Sequence, residues 1–190
     1  KDKESQAIRQ SQAIRQLLTL CPIEVSNTVL LDVVQQRLGD PDETTRVAVA
    51  KVLSELSISP AVVVPKLEVL LNAASWEARQ GAAMALAQLA SRAKSATGAL
   101  TKRLSDPNLH VRIAAADALG AIGPDAGPEA AEALARMAER DQSPGGQAHA
   151  VDALGNLGPH VQSQVRTLEK LSERGDLMVR KAAAKALARL

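Results

Sequence analysis

Few side chains in this sequence have the type and spacing that catalysis or metal binding requires. The histidines fall at non-equivalent positions without the i,i+4 spacing of a zinc site, at His110, His149 and His160. The lone cysteine, Cys21, has no histidine or basic cluster beside it that would activate a thiolate. The sequence contains no glycine-rich phosphate loop, nucleophile elbow or paired-carboxylate motif. It therefore predicts no enzymatic activity, no metal site and no cofactor.

Arginine recurs at a nearly fixed spacing. It stands at Arg46, Arg79, Arg112 and Arg180, and Gln147 takes its place in one copy. A row of guanidinium groups has the chemistry to bind phosphate, and it can equally form internal ion pairs. The choice between these two roles depends on the elements that position the arginines.

The arginines belong to a repeated segment. A closing leucine falls at Leu53, Leu86, Leu119, Leu154 and Leu187, so the steps are 33, 33, 35 and 33 residues. A period of this length predicts a stack of small units, because no single unit can bury its apolar face without its neighbours.

Each unit reads as two helices joined by a turn. In the third unit, residues 99–104 end a first helix, Asp106-Pro107 forms the turn, and a second helix runs over about 109–122. Gly123-Pro124 ends that helix, since glycine tolerates the left-handed conformation and proline cannot continue a helix. In the fourth unit, residues 143–146 contain two glycines, which predict a loosened loop, with a flexure point of the stack as the alternative.

Composition agrees with thin helical layers. Hydrophobic residues make up 46% of the chain, yet aromatic residues make up 1%, so alanine, leucine and valine must form the core. The net charge of +2 is too small to indicate a nucleic-acid or membrane partner, and no apolar run reaches the roughly 18 residues of a membrane span. Because Cys21 has no partner for a disulfide, a reducing, intracellular compartment is favoured.

The pattern D-P-x-x-x-V-R-x-A-A-A-x-A-L-G-x-I-G at residues 106–123 resembles HEAT repeats, most closely the short HEAT-like variety also found in phycobilin lyases. The resemblance implies an all-α, right-handed α-solenoid of about five helix-turn-helix repeats, with a degenerate repeat or helix at residues 1–26. The five units are expected at about 27–57, 60–91, 93–123, 127–158 and 160–190.

The resemblance also implies a role for the arginines. In HEAT repeats this arginine commonly bridges to the aspartate of a turn, so we expect a structural ladder. Its members are Arg46, Arg79, Arg112 and Arg180, with Asp40 and Asp106 as the turn aspartates.

If the second helices line a concave groove, as in related solenoids, their outward positions predict a partner-binding surface. Those positions are Gln80, Met84, Gln88, Ile113, Asp117, Asp152, Asn156, Lys181, Lys185 and Arg189. The surface is apolar and faintly acidic in the middle and basic in the last unit. The only aromatic residue, Trp76, is either an interface anchor or a filler among small alanines. The first helices, with alternating charges, predict a solvated convex face.

These features favour a non-catalytic scaffold that binds a protein segment. A phycobilin-lyase-like or chaperone role on a phycobiliprotein is an alternative, although the absence of Tyr and Phe counts against a bilin pocket. A nucleic-acid role is the other alternative, and Asp117 and Asp152 interrupt the basic stripe that it would need. The last unit reads as a typical second helix, so we expect further sequence or a partner beyond it.

Overall fold

The computed structural model describes residues 32–34, 36–55 and 59–190, and these residues form a stack of helices with no strand among them. The predicted repeat at residues 1–26 lies outside the described residues. Residues 32–34 and 36–38 are helical. The α-helices that follow are α1 (Glu43–Glu55), α2 (Pro60–Leu70), α3 (Trp76–Leu89), α4 (Thr97–Arg103), α5 (Leu109–Ile122), α6 (Gly127–Arg140), α7 (Pro144–Leu154), α8 (Val165–Arg174) and α9 (Leu177–Leu187).

The helices alternate between two layers, as the repeat predicts. The first helices of the repeats are α2, α4, α6 and α8, and the second helices are α1, α3, α5, α7 and α9. Short 3-10 helices lead into α4, α6 and α8, at Ala90–Ala96, Gly123–Ala126 and Gly158–Gln164. The chain is therefore an all-α solenoid.

Side chains in the turns start the second helices. Ser75 accepts a hydrogen bond from the Ala78 N–H at the start of α3, and Asn108 accepts one from the His110 N–H at the start of α5. The cap of α5 is thus Asn108 and not Asp106, whose carboxylate accepts from the Asn108 N–H. At the end of α5 Gly123 has a φ of 70°, which confirms the predicted left-handed residue.

The core consists of small and branched aliphatic side chains. The closing leucines Leu53, Leu86, Leu119 and Leu154 are fully buried, while Leu187 in the last repeat is only partly buried. Neighbouring second helices pack against each other more closely than neighbouring first helices do. The second helices therefore form the more tightly packed layer of the stack.

Small residues make the tight layer possible. A Cβ added at Gly120 on α5 would lie 2.9 Å from the Cα of Ala153 on α7. Gly155, directly after α7, meets Ala186 on α9 in the same way, with the added Cβ 2.9 Å from the Ala186 Cβ. Side chains larger than hydrogen at these two glycines would push the second helices apart.

The loosened loop predicted at residues 143–146 is wrong. Pro144 is the first residue of α7, and Gly145 and Gly146 lie in its first turn. Gly146 is buried, and a Cβ added there would lie 2.7 Å from the Oδ1 atom of Asp141. The glycine makes room for a carboxylate rather than loosening the chain.

Candidate functional site

Arg79 on α3 joins two successive repeats. Its Nε and Nη2 atoms donate to both carboxylate oxygens of Asp106 in the next turn, at 2.8 and 2.9 Å. Its Nη1 atom donates to the carbonyl oxygens of Ala73 and Ala74 in its own turn, at 3.0 and 2.8 Å. One guanidinium group therefore holds its own turn and the following one.

Arg112 repeats this arrangement one unit later. Its Nε and Nη2 atoms donate to Asp141 at 2.6 and 3.1 Å, and its Nη1 atom donates to the carbonyl oxygens of Asp106 and Pro107. Burial by itself would raise the pKa of Asp141, but the hydrogen bonds from Arg112 and from the Ser143 N–H lower it more. The carboxylate stays ionised and firmly held.

The predicted pairing of Arg46 with the Asp40 carboxylate is wrong. Arg46 donates instead to the Asp40 carbonyl oxygen, at 2.6 Å, and the Asp40 carboxylate lies 3.4 Å from Arg37. Ala73 stands where later repeats have Asp106 and Asp141, so Arg46 has no acidic partner in the next turn. Its Nη2 atom donates to the Oε1 atom of Gln80 at 2.7 Å.

Two further predictions need correction. Gln80 was expected in the partner-binding groove, but it is only 5% exposed, because its amide is the partner of Arg46. Arg180 was expected in the ladder, but it is exposed and has no hydrogen-bond or ion-pair partner for its guanidinium among the described residues. Gln147 donates to the Asp141 carbonyl oxygen at 2.9 Å, so it binds its own turn as the arginines do, but no carboxylate of the next turn.

The sequence reading missed Asp141 as a ladder residue. Asp141 occupies the same place in the fourth unit as Asp106 in the third, six residues before the ladder position. Asp141 follows Asp106 by 35 residues instead of 33, so a search at the 33-residue period does not find it. An alignment of the turns, six residues before each ladder position, places the two aspartates together.

Side chains on the second helices also pair from one repeat to the next. His149 Nδ1 lies 2.8 Å from Asp117 Oδ1, Lys185 donates to Asp152 at 3.1 Å, and Arg189 donates to Asn156 at 2.6 Å. Five of the predicted groove residues take part in these pairs, and His149, which was not predicted there, is the partner of Asp117. The hydrogen bond to Asp117 raises the pKa of His149.

The remaining predicted groove residues have no such pairs among the described residues. Gln88 and Lys181 are exposed, while Met84 and Ile113 are half-buried. The second-helix face, meaning the solvent-reaching side chains at Met84, Gln88, Ile113, Asp117, His149, Asp152, Asn156, Lys181, Lys185 and Arg189, is therefore apolar and neutral towards α3. Towards α9 its side chains are polar, and most of them form hydrogen bonds with a side chain of the neighbouring repeat.

Trp76 fills space between three repeats. Its half-buried ring lies 5.3 Å from the Cζ atom of Arg46, and its centroid is 5.6 Å from that of His110. Since Arg46, Trp76 and His110 belong to successive repeats, the indole covers the boundary between them. Part of the ring still reaches solvent, so a role of Trp76 as an interface anchor stays a prediction.

No group of three or more His, Cys, Asp or Glu side chains within the described ranges could hold a metal ion. None of the helices described is long and apolar enough to cross a bilayer.

Residues 63–154 match the family model for HEAT repeats. None of the curated proteins matches the chain significantly. Among solved structures, the chain is similar to an engineered protein with a TM-score of 0.62 and 22% identity, over 95% of this chain and 91% of that one. It is also similar to a designed armadillo repeat protein, with a TM-score of 0.56 and 20% identity, over 95% and 99% of the two chains.

A natural protein shares the architecture. The karyopherin Kap121p, bound to the extreme C-terminus of the protein phosphatase Cdc14p, is similar with a TM-score of 0.55 and 19% identity. The match covers 100% of this chain and 26% of Kap121p, so the chain spans about a quarter of that protein. At these identities the similarity concerns the fold, which is that of armadillo and HEAT solenoids.

Proposed function

This chain belongs to the HEAT-repeat proteins, and we propose that it is a non-catalytic scaffold that binds a segment of a partner protein across its second-helix face. The observation that carries the proposal is the gradient along this face. Half-buried Met84 and Ile113 stand at one end, and exposed Lys181, Lys185 and Arg189 stand at the other.

The gradient matches a particular kind of segment. Apolar side chains of the partner would cover Met84 and Ile113, and acidic ones would meet the cations of α9. An amphipathic helix or an extended segment running along the stack presents both kinds of side chain in order. Such a segment would lie across several repeats at once.

The cross-repeat pairs do not prevent this binding. The Lys185–Asp152 pair is exposed on both sides, and pairs of this kind contribute only about 0.2–1 kcal/mol. A carboxylate of the partner can therefore replace Asp152 beside Lys185 at little cost. The ladder of Arg79 and Arg112 is internal and remains intact, so the scaffold keeps its shape while the face exchanges partners.

Structural neighbours supply a precedent for the mode of binding. One similar structure is that of computationally designed armadillo repeat proteins for modular peptide recognition, and others are Kap121p bound to the Cdc14p C-terminus and to Pho4p. Peptide recognition, and binding of the Cdc14p C-terminus and of Pho4p, are properties of those proteins. They support the proposal for this chain through the shared fold alone.

We also propose that a partner protein packs against α9. Leu177 and Met178 are 55% and 58% exposed, and Arg180 presents an unpaired guanidinium beside them within the described region. In the earlier repeats the equivalent arginines, Arg79 and Arg112, are bound by the next turn. An aspartate on the covering element would complete the same contact for Arg180.

Photocrosslinking in cells of the native source tests the proposed face. A photoreactive residue at Gln88 on α3 or at Asn156 directly after α7, both exposed on the second-helix face, should capture the same partner protein. The same residue at Glu129 or Arg166, exposed on the first helices, should not capture it. A partner captured only from Glu129 and Arg166 would place the binding surface on the other layer.

A further inference from the structure

A cleft of about 510 Å³ opens between α4, α6 and the turns that follow them, and none of the residues of the second-helix face lines it. The α4 helix ends at Arg103, three residues before the turn aspartate Asp106, whereas α6 continues to Arg140, directly before Asp141. After Arg103 the chain continues in tighter turns, in which the N–H groups of residues 104–106 donate to the carbonyl oxygens three residues earlier. These turn residues line one side of the cleft, and α6 with the turn after it lines the other.

The floor of the cleft is apolar. Leu104 from the end of α4 and Ala133 and Met137 from α6 line it, and all three side chains are buried. The volume lies within the range of about 300–1,000 Å³ that is typical of ligand sites in proteins. An apolar side chain of moderate size can pack against this floor.

The carboxylates in the cleft are already neutralised. Asp106 is held by Arg79 and lies 3.6 Å from Arg103, and Asp141 is held by Arg112. Their hydrogen bonds outweigh the effect of burial and keep the pKa of Asp106 below its ordinary value. These two acids contribute no excess negative charge at neutral pH.

Two arginines at the opening provide the uncompensated charge. Arg136 and Arg140 both line the cleft and lie one helical turn apart on α6. Arg136 approaches Glu132 only at 3.8 Å, and both side chains are about 60% exposed, so this pair is weak. Arg140 has no ion-pair partner in the described part of the chain. The opening is therefore positive above an apolar floor.

We propose that the α4–α6 cleft binds an acidic peptide segment of a partner protein. One apolar side chain of the peptide packs on Leu104, Ala133 and Met137, and carboxylates on either side of it pair with Arg136 and Arg140. This site is separate from the second-helix face and does not depend on the function proposed for that face. A peptide fits better than a nucleic acid, because no aromatic side chain lines the cleft to stack on a base.

Fluorescence anisotropy with the full chain tests the cleft. The probe is a labelled pentapeptide with one leucine between two pairs of glutamates, and saturable binding below about 1 mM is expected. The Arg136→Glu/Arg140→Glu double variant should bind it roughly tenfold more weakly, because two attractive contacts become repulsive. The matched control is Arg166→Glu/Arg174→Glu, which reverses two exposed arginines on α8. It should change the affinity by less than about twofold.

The apolar contact is tested by changing the probe instead of the protein. Replacing the leucine of the peptide with asparagine should weaken binding roughly tenfold, because the apolar contact with the floor of the cleft is lost. Far-UV circular dichroism checks that both double variants fold. The proposal is overturned by the absence of saturable peptide binding, by equal losses in the two double variants, or by equal binding of the leucine and asparagine peptides. An oligonucleotide that binds more tightly than the peptide, with the same loss on reversing Arg136 and Arg140, would reassign the cleft to nucleic acid.

Discussion

Arg112 on α5 holds the carboxylate of Asp141 in the next repeat through two hydrogen bonds, of 2.6 Å from Nε and 3.1 Å from Nη2. The side chains are 16% and 2% exposed, so the pair is largely shielded from water. Arg79 and Asp106 form the same contact one repeat earlier. Two neighbouring boundaries in the stack are thus closed by one bidentate ion pair each.

Removing the carboxylate of Asp141 should destabilise the chain. The Asp141→Ala variant leaves the Arg112 guanidinium nearly buried without its partner, which costs roughly 3 kcal/mol. Urea unfolding of the variant measures the loss. Asp125→Ala is the matched control, because Asp125 is exposed and makes no such pair, and its stability should change by less than about 0.5 kcal/mol. Equal effects of the two substitutions would contradict a stabilising role for the ion pair.

Two adjacent glycines should respond in opposite ways to alanine. A Cβ at Gly146 would lie 2.7 Å from the Asp141 carboxylate, which Arg112 holds in place, so Gly146→Ala should cost about 1–3 kcal/mol. A Cβ at Gly145 would lie 3.5 Å from Ser143 Oγ, an ordinary contact, so Gly145→Ala should be neutral or stabilising by up to about 1 kcal/mol. Thermal unfolding compares them. Tolerance of alanine at both positions would contradict the close approach of Asp141 to α7.

Ala90 occupies the position after α3 that Gly123 occupies after α5. It has a φ of 49°, and it is the only non-glycine residue with a positive φ in the described ranges. Because this conformation is strained for a residue with a Cβ, Ala90→Gly should stabilise the chain by about 1 kcal/mol. Ala188→Gly, at the end of α9 where φ is −69°, should bring no gain. Calorimetry distinguishes these results, and a destabilised Ala90→Gly variant would argue against the strain.

The cross-repeat hydrogen bond to Asp117 should be visible in the titration of His149. Since the pKa of His149 is raised in the folded chain, the pair adds stability at pH below about 6.5 and loses it as the pH rises through the folded value. Asp117→Asn should lower the pKa of His149, and Asp152→Asn should lower it less, because Asp152 acts only through its charge. NMR titration of the imidazole measures both. A larger effect from Asp152→Asn would contradict the assigned pairing.

The period of the sequence was enough to predict the architecture but not the contacts between repeats. The 33-residue step and Gly123-Pro124 carry local information, and they predicted helices and a helix end that the structure confirms. The partners of an arginine depend on the distance between successive turns in space. For that reason the sequence did not predict that Arg79 and Arg112 each bind the aspartate of the following turn.

The errors at Gln80 and Gly146 have the same origin. Gln80 stands at an outward position of α3 by helical periodicity, yet Arg46 reaches it because Ala73 offers no carboxylate. Gly146 looked like a flexible residue, because its neighbour Asp141 comes close only in the folded chain. The surroundings of Gln80 and Gly146 are set by side chains that approach them only in the folded chain, and the pattern of neighbouring residues in the sequence does not reveal such contacts.

Binding of a partner segment across the second-helix face is tested most directly by two triple charge reversals that carry the same change in net charge. One is Lys181→Glu/Lys185→Glu/Arg189→Glu on and beside α9, and the other is Arg166→Glu/Lys170→Glu/Arg174→Glu on α8; all six side chains are exposed. Isothermal titration calorimetry with the protein crosslinked through Gln88 measures the affinities. The first variant should lose roughly tenfold or more, and the second should stay within about twofold of the unaltered chain. An unchanged affinity in the first variant, or a larger loss in the second, would contradict binding at the second-helix face.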